Sequence, residues 1–212
     1  MGGDSRRRVS VAPERLPRWL DGFSQLHGPT TATAEPTQVR LVAADGARAW
    51  LRVPFPPLTV SEDDPRAALL AHLAQPRTIG VLLVRRRAYA VGVFVGSDLV
   101  ASKVDSSYVQ GTTRAGGWSQ QRFARRRANQ AQAAFARAAD TCARLLLPRA
   151  ADLDALVCGG DRAAVDAVLA DPRLAPLADL PRGPLLAVRD PRLRVLQQTP
   201  EQFRAVAIDL DP

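Results

Sequence analysis

Apolar positions recur along the chain with two different periods. In "PERLPRWLDGFSQLHG" Leu16, Trp19, Leu20 and Phe23 fall on one side of a 3.6-residue repeat, and Gly28 and Pro29 follow as stop signals. This predicts a short amphipathic helix. "VRLVAADGARAWLRV" switches to β-rich runs on either side of Asp45-Gly46, a hairpin signal, and "PFPP" ends it. In "DDPRAALLAHLAQP" Asp64 is placed to cap a helix, with Pro65 at its first position and an end near Ala74. "MGGDSRRRVS" reads as a frayed tail with a solvated arginine triplet, and "TTATAEPT" as a linker.

From residue 78 the runs become longer and more apolar. Ile79 to Val84, Tyr89 to Val95 and Leu99 to Val104 are three β segments joined at Arg86-Arg87 and at Gly96-Ser97-Asp98, which predicts an antiparallel meander. A Gly-rich loop follows, then a helix from about Ser119 to Leu147 ended by Pro148. Its expected buried stripe is Phe123, Ala128, Ala131, Phe135, Ala138, Cys142 and Leu145. The last third alternates: strand "DALVCGG", helix "DRAAVDAVLA" capped by Asp161, strand "PLLAVRD", and a final helix "TPEQFRAVAIDL" capped by Thr199. The expectation is an α+β fold, a mixed sheet made of the meander and later strands and packed with helices. Residues 1–75 form an N-terminal extension of helix, hairpin and helix packed on a main domain, residues 76–212, that carries the loop 111–121.

A chain of 212 residues is long enough for a real core, built here from Leu, Val and Ala because aromatics are only 5%. No apolar stretch reaches the ~18 residues of a membrane span, and the first 20 residues lack an apolar h-region. A cytoplasmic monomer is expected. Cys142 and Cys158 lack CxxC spacing and histidine neighbours, so they read as core residues. His27 and His72 are isolated, and two histidines do not readily make a zinc site. No metal or cofactor is expected.

Charge separates one region from the rest. Residues 103–149 hold nine basic and two acidic residues, against 20 and 19 in the remainder, so nearly all of the net +8 lies there. Concentrated positive charge without an apolar insertion face points to nucleic acid rather than membrane. Arg122, Arg125, Arg126 and Arg127 crowd a helix N-terminus, where the macrodipole disfavours cations and phosphates would compensate. The preceding loop holds Gly111, Thr112, Thr113, Arg114, Gly116, Gly117 and Trp118. Ser119 can cap the helix, which puts Gln120 and Gln121 in its first turn beside free N–H groups. A glutamine does not titrate; it works by orienting a water and by hydrogen bonding.

"GGWSQQRFARRRANQ" resembles the catalytic loop and following helix of the middle domain of eukaryotic and archaeal class-1 peptide release factors, where a Gly-Gly-Gln loop precedes a helix containing Arg-Phe-Ala-Arg. The meander before it and "LVCGG" with a helix after it fall in the same order, so the resemblance covers roughly residues 78 to 208. Here Trp118 stands where those factors have glutamine, and the glutamines come two and three residues after the glycine pair. That shift is similar to the actinobacterial branch of the Vms-like release factors (the VLRF group), peptidyl-tRNA hydrolases of stalled ribosomes. The resemblance implies hydrolysis of the peptidyl-tRNA ester on the large ribosomal subunit. Gln120, with Gln121 as the alternative, would be the catalytic residue; Gly111, Gly116, Gly117, Trp118 and Ser119 would form the catalytic loop. Arg114, Arg122, Arg125, Arg126 and Arg127 would contact ribosomal RNA or tRNA. Two rivals stay open: a non-catalytic RNA-binding module, and a metal-dependent nuclease using Asp98, Asp105, Asp161, Asp209 or Asp211.

Overall fold

A computed structural model describes residues 7–60, 63–106 and 119–211. The chain forms two compact units: residues 1–76 with 200–212, and residues 77–199. Both units combine helices with sheets, one antiparallel and one mixed, so the fold is α+β as expected.

In chain order the first unit contains β1 (Arg7–Val11), α1 (Leu16–His27), β2 (Thr30–Glu35), β3 (Gln38–Ala43), β4 (Arg48–Arg52) and α2 (Pro65–Ala74). The second holds β5 (Thr78–Arg85), β6 (Ala88–Val95), β7 (Asp98–Ser106), α3 (Ser119–Leu145), β8 (Ala155–Gly160), α4 (Arg162–Leu169), α5 (Ala175–Ala178) and α6 (Leu193–Gln197). The chain then returns to the first unit with α7 (Pro200–Phe203) and β9 (Val206–Asp211).

The first unit is an antiparallel sheet in the order β1-β9-β4-β3-β2. Leu16, Leu20 and Phe23 of α1 and Leu69 of α2 bury against Val39, Leu41, Ala49, Leu51, Val206 and Ile208. Asp64 caps α2 as expected, accepting from the N–H groups of Arg66 and Ala67 at 3.1 and 2.9 Å. Gly46 takes φ +95° in the β3–β4 turn. His72 is buried and hydrogen-bonded to the Pro54 carbonyl oxygen, a satisfied core histidine.

Three expectations for this unit need correction. The "linker" is β2, an alternation of Thr and Ala with one face toward solvent, paired with β3 through a turn at Pro36-Thr37. Its β-branched threonines suit a strand, but alanine is too small to mark the apolar period. Within the tail, Arg7–Val11 is β1. The final helix stops at Phe203, and the rest is β9, whose Val206 and Ile208 alternate into the core between β1 and β4.

Asp209 explains how the two chain ends hold together. It lies in β9 at 8% exposure and accepts from Arg8 of β1 (3.0 Å) and Arg52 of β4 (3.1 Å). The hydrogen bond from Arg8 foremost, then Arg52, holds its carboxyl below the usual aspartate range against the opposing effect of burial. A carboxyl lowered on folding stabilises fully above its unfolded value, about 3.9, and loses that contribution as pH falls through the folded value. Asp209→Asn is expected to cost about 1–2 kcal/mol near neutral pH, modest because both arginines are largely exposed. In denaturation midpoints followed against pH, the gap between wild type and variant should close below about pH 4.

In the second unit the sheet runs β7-β6-β5-β8, antiparallel except for the parallel β5–β8 pair. Leu82, Val84, Tyr89, Val91, Val93, Leu156 and Cys158 face α3 and α4. Gly92 backs onto Leu99 and Leu196, and Gly159 onto Leu83 and Leu186, on the other side. Cover on both faces accounts for the unbroken apolar runs of β5 and β6. Asp161 caps α4 through the Ala163 N–H. "PLLAVRD" is not a strand: within it only Leu186 bridges β8, to Gly159, and Arg182 just before it bridges Leu156. Pro181, Pro184 and Pro191 remove the donors a full ladder needs.

Both cysteines are buried, as expected. Burial pushes the Cys142 thiol up to about 12 and that of Cys158 up to about 11. Thiolate is the reactive form, so a disulfide reagent such as DTNB should leave both unmodified in the folded chain at neutral pH and titrate two thiols after unfolding.

Candidate functional site

The candidate site begins where β7 ends. The chain leaves this edge strand at Ser106 and re-enters the described structure at Ser119, the first residue of α3. Gly111, Thr112, Thr113, Arg114, Gly116, Gly117 and Trp118 lie outside the described residues. Ser119 is already helical, one position further in than a cap, an ordinary difference at a helix end. Gln120 and Gln121 therefore stand in the first turn, where a helix has N–H groups without intrahelical acceptors. Arg122, Arg126 and Arg127 follow on the same helix, and the Arg125 side chain is exposed.

The far half of α3 is what fixes it. Ala134, Ala138, Ala139, Thr141 and Cys142 are buried, so the buried face is centred on Ala134 and Ala138, with Ala131, Phe135 and Leu145 only partly covered at its edge. Phe123 and Ala128 of the expected stripe have side chains outside the described residues. Small alanines let the helix lie close on β6, which a stripe centred on Phe135 would not allow. The Thr141 hydroxyl donates to the Arg137 carbonyl oxygen at 2.9 Å, which leaves the Tyr89 hydroxyl of β6 as donor to Thr141 Oγ1 at 3.0 Å. Arg137 reaches Asp105 of β7 at 3.1 Å. These ties join helix and sheet just before and after the loop in sequence. Gln120 lies fourteen residues ahead of Ala134, roughly 21 Å of helix, and Arg125, Asn129 and Gln130 between them are exposed.

Beside the anchored half lies a groove of about 560 Å³ lined by Tyr89, Lys103, Asp105, Arg137, Asp140, Ala143, Arg144 and Arg173. Asp105 neutralises Arg137, and Arg173 is shared between Asp171 (2.7 Å) and Asp140 (2.8 Å), which raises its pKa above the ordinary arginine value. Among the described residues Lys103 and Arg144 make no ion pair. They extend the positive surface of the segment beyond the arginines singled out by sequence. Lys103 and Arg173 come from elements other than α3, which is why a helical pattern did not find them.

Four of the five carboxylates considered for a metal are placed by the fold, and the fifth, Asp211, ends β9 opposite Arg48. Asp98 opens β7 at the β6–β7 turn, Asp161 caps α4, Asp105 pairs with Arg137, and Asp209 pairs with Arg8 and Arg52. Among the described residues no three His, Cys, Asp or Glu side chains come together to hold an ion. Among them, too, no helix is long and apolar enough to cross a membrane.

Residues 77–209 match the family described as "Actinobacteria/chloroflexi VLRF1 release factor". The match covers more than half of the chain, and the chain belongs to that family. No curated protein shows a significant sequence match. Among solved structures the chain is similar to an archaeal translation termination factor, aRF1, at 15% identity, covering 92% of this chain and 64% of that one with a TM-score of 0.41. A structure titled "Archaeal protein" gives 16%, 91%, 62% and 0.38. The Vms1 mitochondrial localization core gives 10%, 92%, 80% and 0.43. The chain thus spans less than two thirds of the two archaeal structures.

Proposed function

We propose that this protein is a ribosome-associated peptidyl-tRNA hydrolase that releases nascent chains from stalled large-subunit complexes. Membership in the release-factor family over residues 77–209 carries the reading, and the place of Gln120 and Gln121 in the first turn of α3 supports it. The loop 111–121 enters the peptidyl-transferase centre. Gln120, or in its place Gln121, accepts a hydrogen bond from a water and aims its oxygen at the ester carbonyl carbon. The water oxygen adds to that carbon and the tetrahedral adduct then expels the tRNA ribose oxygen; one proton of the water passes to that oxygen and the other to solvent, leaving free tRNA and a peptide carboxylate. Backbone N–H groups near the helix start stabilise the developing oxyanion. Gly111, Gly116 and Gly117 let the loop backbone approach the ester closely, and Trp118 and Ser119 join it to the helix. Arg114, Arg122, Arg125, Arg126 and Arg127 hold phosphates of ribosomal RNA or tRNA, the protein acting as a monomer in the cytoplasm.

The test is release of labelled peptide from peptidyl-tRNA bound to isolated large subunits. Release by the wild-type protein and its loss in the Gln120→Ala/Gln121→Ala double variant are expected. Wild-type protein that binds the subunit and leaves the ester intact would instead support a non-catalytic RNA-binding module, the reading favoured by Trp118 standing directly after the glycine pair.

A further inference from the structure

The β5–β6 turn is built against its own electrostatics. Arg85 closes β5 opposite Ala88, and Arg86 and Arg87 make the two-residue connection. Tight hairpin turns favour asparagine, aspartate or glycine, and like charges crowded on adjacent positions repel. The other connection of β6, Gly96-Ser97, follows the usual turn chemistry and has no arginine. Arg86 is exposed, so packing of its aliphatic stem does not account for it.

Further arginines converge on this end of the sheet. Arg85 Nε donates to the Arg189 carbonyl oxygen at 3.4 Å, and the Arg189 side chain is exposed. β8 ends beside Val84, which puts Arg162 here too, at the first position of α4. Two of the neighbouring carboxylates are already paired, Asp190 with Arg192 at 2.5 Å and Asp105 with Arg137 at 3.1 Å. That leaves Asp161, the cap of α4, and Asp166 one turn further on. Among the described residues of the unit, Arg85, Arg86, Arg162 and Arg189 stand against these two, four charges against two, before Arg87 is counted.

Topology joins the turn to the candidate site. Ser106, the last residue of β7, is the register partner of Ala88, so the chain leaves toward the loop one residue from the turn. Arg137 and Thr141 of α3 meet Asp105 and Tyr89 near the same end, whereas Leu146 lies over Gly80 toward the start of β5. The helix therefore crosses the sheet away from the turn, and the part ahead of Arg137, roughly 27 Å from Ser119, runs out past it. The basic half of α3 and the arginine turn lie at one end of the sheet. Positive groups on two elements suit a ligand whose negative charge repeats, and guanidinium groups take phosphate oxygens in a bidentate fork.

We propose that the β5–β6 turn is a second RNA anchor, in which Arg86 and Arg189 bind phosphates of the RNA that the α3 arginines contact. That this RNA is ribosomal RNA or tRNA rests on the function proposed above.

The experiment is equilibrium binding of the full chain to vacant large subunits, to large subunits carrying peptidyl-tRNA with a non-hydrolysable amide link, and to free tRNA. Arg86→Ala/Arg189→Ala should bind about tenfold or more weakly than wild type at 0.1 M salt, and its slope of log K against log salt should be flatter by about 1.4–1.8, the share of two phosphate contacts. Arg86→Lys/Arg189→Lys, which keeps the charge, should recover most of that slope. Arg15→Ala/Arg18→Ala removes as much charge from exposed positions of the first unit and should stay within twofold of wild type. Unchanged melting of each variant shows that the fold is retained. A loss on vacant subunits assigns the phosphates to ribosomal RNA, and a loss confined to loaded subunits or free tRNA assigns them to tRNA; either supports the anchor. A change below twofold in all three arms would overturn it, as would an equal loss in the Arg15/Arg18 control. Wild-type protein that binds subunits and leaves the ester intact in the release assay sinks hydrolysis and leaves the anchor standing. If wild type binds no subunit, the ribosomal reading falls and the free-tRNA arm decides the anchor; binding in no arm overturns both.

Discussion

Replacing Gln120 and Gln121 together by alanine is expected to slow peptide release at saturating protein by about a hundredfold or more, while binding to the large subunit changes less than about twofold. The loss belongs to the chemical step because a glutamine amide carries no charge to contribute to RNA affinity. In the proposed mechanism it holds a water in line with the ester carbonyl and offers a hydrogen bond as negative charge develops on oxygen. Removing one such preorganised donor elsewhere costs about 10²–10³ in rate. The single variants divide the role: the one that reproduces the double loss identifies the residue that places the water. Arg125→Ala/Arg126→Ala should behave in the opposite way. Release at saturation is largely kept, the concentration needed for half-maximal release rises, and binding becomes less sensitive to salt because two phosphate contacts no longer displace counterions. If both glutamine variants release peptide at wild-type speed, the assignment of the chemistry to these positions is wrong.

Gly160→Ala is expected to disrupt the second unit, costing more than about 3 kcal/mol. Gly160 ends β8 with φ +97°, a conformation that side-chain-bearing residues rarely adopt. A Cβ there would sit 2.2 Å from the Val84 carbonyl oxygen and 3.0 Å from its carbon. That carbonyl cannot step aside, because it accepts from the Asp161 N–H at 2.9 Å, where β8 hands over to α4. Gly160's own N–H is committed to Leu186 O at 3.0 Å. Gly46→Ala supplies the control: its φ is +95°, but nothing lies within 4 Å of the added methyl. It should cost only the conformational penalty, about 1–2 kcal/mol. Denaturation curves of the two variants, with amide exchange followed in β5 and β8, separate strain from collision.

Much of this fold could be read from the residues. The apolar runs of β5 and β6, the Asp45-Gly46 turn, the Asp64-Pro65 start of α2 and the Asp161 cap all act locally, and each appears where expected. What escaped depends on partners distant in sequence. Val206, Ile208 and Leu210 have a strand's alternation, yet Thr199-Pro200 opens a helix just before them, and only pairing with β1 and β4 turns the segment into β9. In β2, threonine and alanine alternate too softly to show a period until β3 lies beside them. At the candidate site, the placement of Gln120 and Gln121 in a first helical turn was legible because helix start signals are local, although Ser119 lies inside the helix and is not its cap. The groove residues Lys103 and Arg173 were not, since a count along the chain cannot tell which face a charge occupies.

The position of β9 also sets an order of assembly during synthesis. Residues 77–199 are continuous in sequence, so every partner of the second unit is available once that stretch has emerged. The first unit is different: β1 has no strand beside it, and β4 presents a bare edge, until residues 206–211 arrive and Asp209 meets Arg8 across 201 positions. Contacts of such separation form late because the loop they close is long. The unit translated first is therefore finished last.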